Sequence, residues 1–114
     1  MLGATTDLAA IASAAIGNGV HWTLPEPADL NVNLVRLDPG ESIAAHVNLE
    51  LDVLFVVLEG NGWLEIDDRE HGLSQHTLAN VRAGSTRTVR AADDGLTYVT
   101  VHRRRGGLSL GRPR

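Results

Sequence analysis

Apolar and polar residues change places in short runs along most of the chain, but the first part has a longer, helical period. Residues 5–16 are rich in alanine, with Thr6 or Asp7 in position to cap the N-terminus of a helix and Gly17 in position to end it. The face with helical spacing comprises Leu8, Ile11, Ala12, Ala15 and Ile16. The pattern therefore predicts a short, weakly amphipathic helix that must pack against another surface to be stable.

After this segment the chain has the pattern of a β protein. The predicted strands span residues 20–24, 30–37, 43–47, 53–58, 62–66, 77–81, 86–91 and 96–102. The turn signals between them are Pro25 and Pro27, Asp38-Pro39-Gly40, Glu59-Gly60-Asn61-Gly62, Asp67-Asp68, Ala83-Gly84-Ser85 and Asp93-Asp94-Gly95. Many short strands at regular spacing indicate an all-β sandwich or barrel. We expect one domain over residues 1–114, with its core at about 30–102 and a basic tail at 103–114.

The predicted strand 53–58 consists entirely of apolar residues, so it lacks the alternation of a strand with one wet face. Its outer face should therefore be covered. The N-terminal helix is one candidate for the cover, and a second copy of the chain is the other, which makes a homodimer an expectation from the sequence.

Composition limits the classes of function. The formal net charge of −4 argues against a nucleic-acid binder or a binder of anionic membranes. Half of the ten basic residues, all arginines, lie in the last twelve positions, where we expect a solvated end. The absence of cysteine excludes disulfides, thiolate metal sites and a cysteine nucleophile. No signal peptide and no apolar run of membrane-spanning length is seen, so a cytoplasmic location is expected.

The segment from Gly40 to Gly60 resembles the first sequence motif of the cupin superfamily. In that family the motif is Gly, five residues, His-x-His, three or four residues, Glu, six residues and Gly; both glycines, the first histidine (His46) and the apolar strand match here. A weaker resemblance to the second motif lies at residues 81–87, where the family has Pro, any residue, Gly, two residues and His. The resemblance covers about residues 30–102 and implies an antiparallel β-barrel (jelly roll) with an internal pocket.

The resemblance also implies a metal site, because three histidines and one carboxylate of the two motifs usually hold iron, manganese, nickel or zinc. Here His46 matches the first histidine, whereas Asn48 matches the second and Arg87 the third. A carboxamide is a poor ligand for these metals, and a guanidinium opposes a cation.

The position of the family's carboxylate depends on how it is counted. With six residues left between it and Gly60, the carboxylate position falls on Val53, which cannot bind a metal; a β-bulge near Leu51 would instead bring Asp52 or Glu50 into the pocket.

Arg87 shares strand phase with Val89 and Ala91, so it is expected to point inward and to need a partner. Two interpretations follow. In one, Asp52 or Glu50 forms an internal ion pair with Arg87. In the other, the guanidinium receives an anionic ligand through a bidentate contact.

His102 shares strand phase with Leu96 and Tyr98, whereas Val99 and Val101 form the more core-like face, so His102 is expected to face outward.

We therefore expect a cupin that binds a small molecule or has no catalytic role. Its pocket would contain His46, Asn48, Asp52 and Arg87. No cofactor, or at most a weakly bound divalent metal, is expected. Two alternatives stay open, and the sequence does not decide whether the chain is an enzyme. One is a metal-dependent oxygenase or isomerase, and the other is metal-free acid–base catalysis by His46 with a carboxylate. The ligands of the metal enzyme would come from His46, Glu50, Asp52 and His102.

Overall fold

The computed structural model describes residues 4–104, apart from the side chains of Ala45 and His46. Most of the predicted basic tail, residues 105–114, lies outside the described residues. The described residues form one helix and seven strands, which join in one antiparallel sheet. In chain order the elements are α1 (Leu8–Ala14), β1 (Gly19–Thr23), β2 (Leu30–Leu37), β3 (Ser42–Val47), β4 (Val53–Ile66), β5 (Arg69–Leu73), β6 (Leu78–Val81) and β7 (Thr86–Arg103).

Strands β4 and β7 are long, and each corresponds to two of the predicted shorter strands. Their mutual register shifts between Val57 and Glu59 and again between Gly60 and Gly62, which marks β-bulges. At Gly60 φ is +84°, and a Cβ placed there would overlap the carbonyl oxygen of Gly95. The glycines that predict turns therefore let two backbones cross closely while both strands bend and continue.

The bends divide the sheet into two halves that face each other. The later part of β7 pairs with β2 and with the early part of β4, whereas its earlier part pairs with β3 and with the late part of β4. Side chains from both halves form one core, as expected for a jelly roll. The core residues are Val35, Leu37, Val53, Phe55, Val57, Leu64, Leu73, Val81, Val89, Ala91, Leu96 and Tyr98.

Helix α1 packs against the outer face of one half. Ala12 forms a second apolar cluster with Leu34 and Val99, and Leu58 of β4 packs against this cluster. The Asp7 carboxylate caps the helix by accepting a hydrogen bond from the Ala10 N–H at 3.1 Å. The helix thus covers part of the outer face of the apolar run at 53–58, and the homodimer stays a prediction. No helix among residues 4–104 is long and apolar enough to cross a membrane.

Strand β5 is absent from the sequence-based prediction. Four of its five residues are exposed, so it has no apolar alternation to detect. Asp67 and Asp68 both have positive φ, at 48° and 71°, the backbone geometry of a two-residue hairpin turn. His71 lies in β5, opposite Leu64 of β4.

Candidate functional site

A cavity of about 220 Å³ lies between the two sheet halves. Six of its nine lining residues are aliphatic or aromatic, and none is an aspartate or glutamate. Strand phase sends alternate side chains of each strand to this interior. The lining residues are Val20, Asn33, Val35, Ile43, Phe55, Arg87, Val89, Tyr98 and Thr100.

Arg87 supplies the cationic group of the cavity wall. It lies in β7 two residues before buried Val89, and the inward orientation predicted from strand phase agrees with its place in the cavity. The guanidinium carbon Cζ is 5.7 Å from the centroid of the Phe55 ring, within the range of a cation–π contact. Burial lowers the pKa of Arg87, because desolvation disfavours its charged form.

Tyr98 forms the neighbouring part of the wall. Its side chain is only 2% exposed, and its ring centroid lies 5.5 Å from that of Phe55 in a tilted arrangement. The hydroxyl has no hydrogen-bond partner among the described residues. Burial raises the pKa of Tyr98 to about 12, although the positive charge of Arg87 acts in the opposite direction. The phenol is therefore protonated at neutral pH and can donate a hydrogen bond into the cavity.

A row of polar side chains continues the cavity wall across β1, β2 and β7. Asn33 lies opposite Thr100 in the β2–β7 ladder, and both line the cavity. The Thr23 hydroxyl donates to Oδ1 of Asn33 at 2.7 Å, and Nδ2 of Asn33 donates to Oδ1 of Asn31 at 2.8 Å. Because both ends of the Asn33 amide are engaged, its orientation is fixed.

Asn48 holds the loop between β3 and β4. Its Oδ1 accepts hydrogen bonds from the backbone N–H groups of Glu50 at 3.0 Å and Leu51 at 3.1 Å, as in an Asx turn. Its backbone carbonyl accepts a third bond, from the Gly84 N–H at 2.8 Å. Asn48 is not among the cavity-lining residues, and the bulge expected near Leu51 is replaced by this loop, on which Glu50 is exposed.

Asp52 also stabilises loops, in contrast to its predicted pairing with Arg87. Its Oδ1 accepts a hydrogen bond from the Ala83 N–H at 2.8 Å and lies 3.9 Å from Nε of Arg82. The side chain is 54% exposed and does not line the cavity. Val53, the other residue at the family's carboxylate position, is buried in the core. The predicted internal Asp52–Arg87 pair is therefore wrong, because the carboxylate satisfies a backbone donor of the next loop instead.

His46 is the least described of the predicted site residues. Its backbone belongs to β3 and pairs with Arg87, after a bulge between Ile43 and His46. Its side chain lies outside the described part of the structure. The roles predicted for His46, as a pocket residue or as a metal ligand, therefore stay predictions.

The predicted phase of the last strand is reversed in the structure. Leu96 and Tyr98 belong to the interior core, whereas Val99 packs outside under α1. Both faces of this half of the sheet are covered, so a more apolar face does not identify the interior. His102 consequently has the strand phase of the interior residues Leu96 and Tyr98, in contrast to the predicted outward direction. Its Nδ1 lies 2.7 Å from the carbonyl oxygen of Arg103.

The described residues do not fit the metal site that the cupin resemblance implies. No three histidine or carboxylate side chains come together among residues 4–104 where a metal could be held, with the side chain of His46 left aside. The Asn48 and Asp52 oxygens bind backbone amides, and Arg87 brings a positive charge to the cavity. A divalent cation would be repelled by this guanidinium.

Four polar or aromatic residues of the cavity escape the reasoning from sequence. They are Asn33, Phe55, Tyr98 and Thr100. Phe55 and Tyr98 are the single phenylalanine and the single tyrosine of the chain, which is a usable signal because large aromatic residues dominate ligand pockets. Asn33 and Thr100 could be assigned to the cavity only once the register between β2 and β7 was known.

Comparison with known proteins gives the fold. No family sequence profile matches the chain, and no curated protein matches it by sequence. Its structure is similar to that of a Bacillus halodurans protein, with a TM-score of 0.77 and 18% identity over 89% of this chain and 80% of that one. A cupin-2 domain-containing protein of Shewanella frigidimarina gives a TM-score of 0.71 and 15% identity over 89% and 95% of the two chains. A cupin protein of Bacteroides fragilis gives 0.64 and 19% over 72% and 71%. The chain therefore has the cupin fold, as its segment from Gly40 to Gly60 predicts.

Proposed function

We propose that this cupin barrel is a small-molecule-binding protein whose ligand occupies the cavity between the sheet halves without a metal. The observation that carries the proposal is the cavity itself, which has mainly apolar walls and a few convergent polar groups, the usual make-up of a ligand site. A volume of about 220 Å³ gives room for a small organic compound.

The proposal excludes a resident metal on chemical grounds. Asn48 and Asp52, at or next to the positions where the family has metal ligands, each bind backbone amides in the loops. Arg87 would then serve the ligand and not a cation. Metal analysis of protein purified without chelators tests this part. Stoichiometric metal that disappears in His46→Ala would overturn it and favour the metal-dependent enzyme.

Ligand binding is tested by thermal unfolding with a panel of small organic compounds of this size. At a ligand concentration of 100 times Kd the native state gains about 2.7 kcal/mol. For a domain of this length that raises Tm by roughly 10 °C. We expect at least one compound to give a saturable increase.

A pair of variants separates binding in the cavity from binding elsewhere. Ile43→Trp places a larger side chain on the cavity wall, so it should remove the increase in Tm. Leu78→Trp adds a similar side chain at a residue that is 61% exposed and outside the cavity, so it should keep the increase. An increase that is equal in both variants, or a panel without any increase, would refute the proposal.

A further inference from the structure

We propose that the ligand of this cavity is a small monocarboxylate, held by the guanidinium of Arg87 and the hydroxyl of Tyr98, with its apolar part against Phe55. This inference rests on the proposed function, because it names the class of compound that the same cavity takes. It goes further in requiring one negative charge on the ligand and an apolar body next to that charge.

The charge requirement follows from the environment of Arg87. The guanidinium is drawn out of water by apolar neighbours, and burial lowers the pKa of Arg87. A carboxylate placed beside it would make a charge-assisted, bidentate contact, which is stronger than a contact between neutral groups. Arg87 also interacts with other parts of the protein, but a guanidinium has five N–H donors and can serve a ligand at the same time.

Tyr98 supplies a second donor in the same region. Tyr98 lines the cavity, and its hydroxyl makes no hydrogen bond to the described residues, so this donor is available to a ligand. Arg87 and Tyr98 adjoin the same ring, since Cζ of Arg87 lies 5.7 Å and the Tyr98 ring centroid 5.5 Å from the centroid of Phe55. A carboxylate in this region can accept hydrogen bonds from both groups.

The rest of the cavity favours one charge and an apolar body. Among the described residues that line the cavity there is no aspartate or glutamate to repel an anion, and Arg87 is the one that carries a positive charge. A second carboxylate on the ligand would therefore be buried without a counter-charge, which is costly. Phe55, Val35 and Ile43 offer an apolar surface for an aromatic ring or a short aliphatic chain.

The decisive experiment compares isosteric ligands on the unmodified protein by titration calorimetry near neutral pH. The charged probes are benzoate and hexanoate, the neutral ones are benzamide and hexanamide, and malonate represents a dicarboxylate without an apolar body. We expect the monocarboxylates to bind at least about tenfold more tightly than their amides, since hydrogen bonds to charged groups contribute more than those between neutral ones. Malonate should bind at least as weakly as the amides.

Variants then assign the donors. Arg87→Gln should weaken benzoate binding about tenfold or more and leave benzamide binding nearly unchanged, whereas Tyr98→Phe should weaken benzoate binding by a smaller factor. The matched control is Arg90→Gln. Arg90 lies in the same strand, but its guanidinium stacks 4.7 Å from the Trp63 ring centroid on the outer face. The Arg90→Gln protein should bind benzoate as tightly as the unmodified protein does.

The possible outcomes separate this inference from the proposed function. If amides bind as tightly as the carboxylates, or if Arg90→Gln and Arg87→Gln have equal effects, the monocarboxylate assignment is wrong while a binding cavity remains. If neither charged nor neutral probes bind, this assignment fails, and the proposed function depends on the broader panel of compounds. The comparison of acids with amides needs no variant, so a poorly folded Arg87→Gln protein would not prevent the test.

Discussion

Raising the pH above 10 titrates the one tyrosine of this protein, which is buried. The chain has no cysteine and no lysine, so above the range of the terminal amine the titrating side chains are Tyr98 and the arginines, and Tyr98→Phe separates the phenol from the arginines. Burial raises the pKa of Tyr98 to about 12 in the folded protein, against 10.0 for an unhindered phenol. Alkaline unfolding therefore measures the environment of the cavity.

The sign and the size of the effect follow from linkage. Between pH 10 and pH 12 the folded protein keeps the phenol proton while the unfolded chain releases it, so the free energy of unfolding falls as the pH rises. The stabilisation is fully present below pH 10 and is lost as the pH passes the folded pKa. A difference of about two pKa units corresponds to a loss of about 3 kcal/mol.

The assay is urea unfolding at a series of pH values, together with the absorbance of tyrosinate in the native protein. Tyr98→Phe has no phenol to titrate. Between pH 10 and pH 12 its free energy of unfolding should therefore decrease by about 3 kcal/mol less than that of the unmodified protein. Arg87→Gln removes the charge that lowers the pKa of Tyr98, and the native titration should move to higher pH. A native titration near pH 10, or equal pH dependence in Tyr98→Phe and the unmodified protein, would refute the account of Tyr98 as a buried donor.

Three further predictions concern the framework. Leu64→Ala, at a fully buried core residue, should cost about 2–5 kcal/mol in urea unfolding, whereas Leu49→Ala, at a residue 77% exposed, should cost less than about 0.5 kcal/mol. Gly60→Ala should be destabilising by more than about 2 kcal/mol, because its Cβ meets the Gly95 carbonyl and its φ is positive; Gly72→Ala, with open space around it, should be nearly neutral in the same assay. Light scattering should give the mass of a dimer, and a monomer mass at micromolar concentration would contradict the homodimer prediction.

The sequence predicts strand bounds well where polar residues interrupt the apolar ones and turn residues flank the segment. Strand β2 has the predicted bounds of 30–37, and the helix cap is Asp7, one of the two predicted candidates. The errors arise where the same residue type serves two geometries. Gly60 with a positive φ is equally suited to a hairpin turn and to a bulge in a continuing strand, so its presence predicts a break in the chain direction that does not occur.

The candidate site is less accessible to such reasoning, because a residue's role depends on which face of the strand is inside. In the last strand both faces are apolar, since α1 covers Val99 while Tyr98 lies in the core, and the two faces cannot be distinguished by hydropathy. In the earlier part of β7 the outer face is polar, so the inward direction of Arg87 could be deduced correctly. The partner of Arg87 could not, because Asp52 has the right charge but binds a loop amide that no sequence pattern reveals.

The framework of this barrel and its chemistry are carried by different residues. Gly40, in a turn with φ of +78°, and Gly60, at a bulge, are requirements of the backbone. Asn48 closes the loop between them through its side-chain oxygen, so an amide there can serve the fold without any ligand. The fold therefore does not require a metal ligand at the position of Asn48. Whatever the cavity binds must then be recognised by the groups that do line it, and among the described ones Arg87 is the residue that carries a charge.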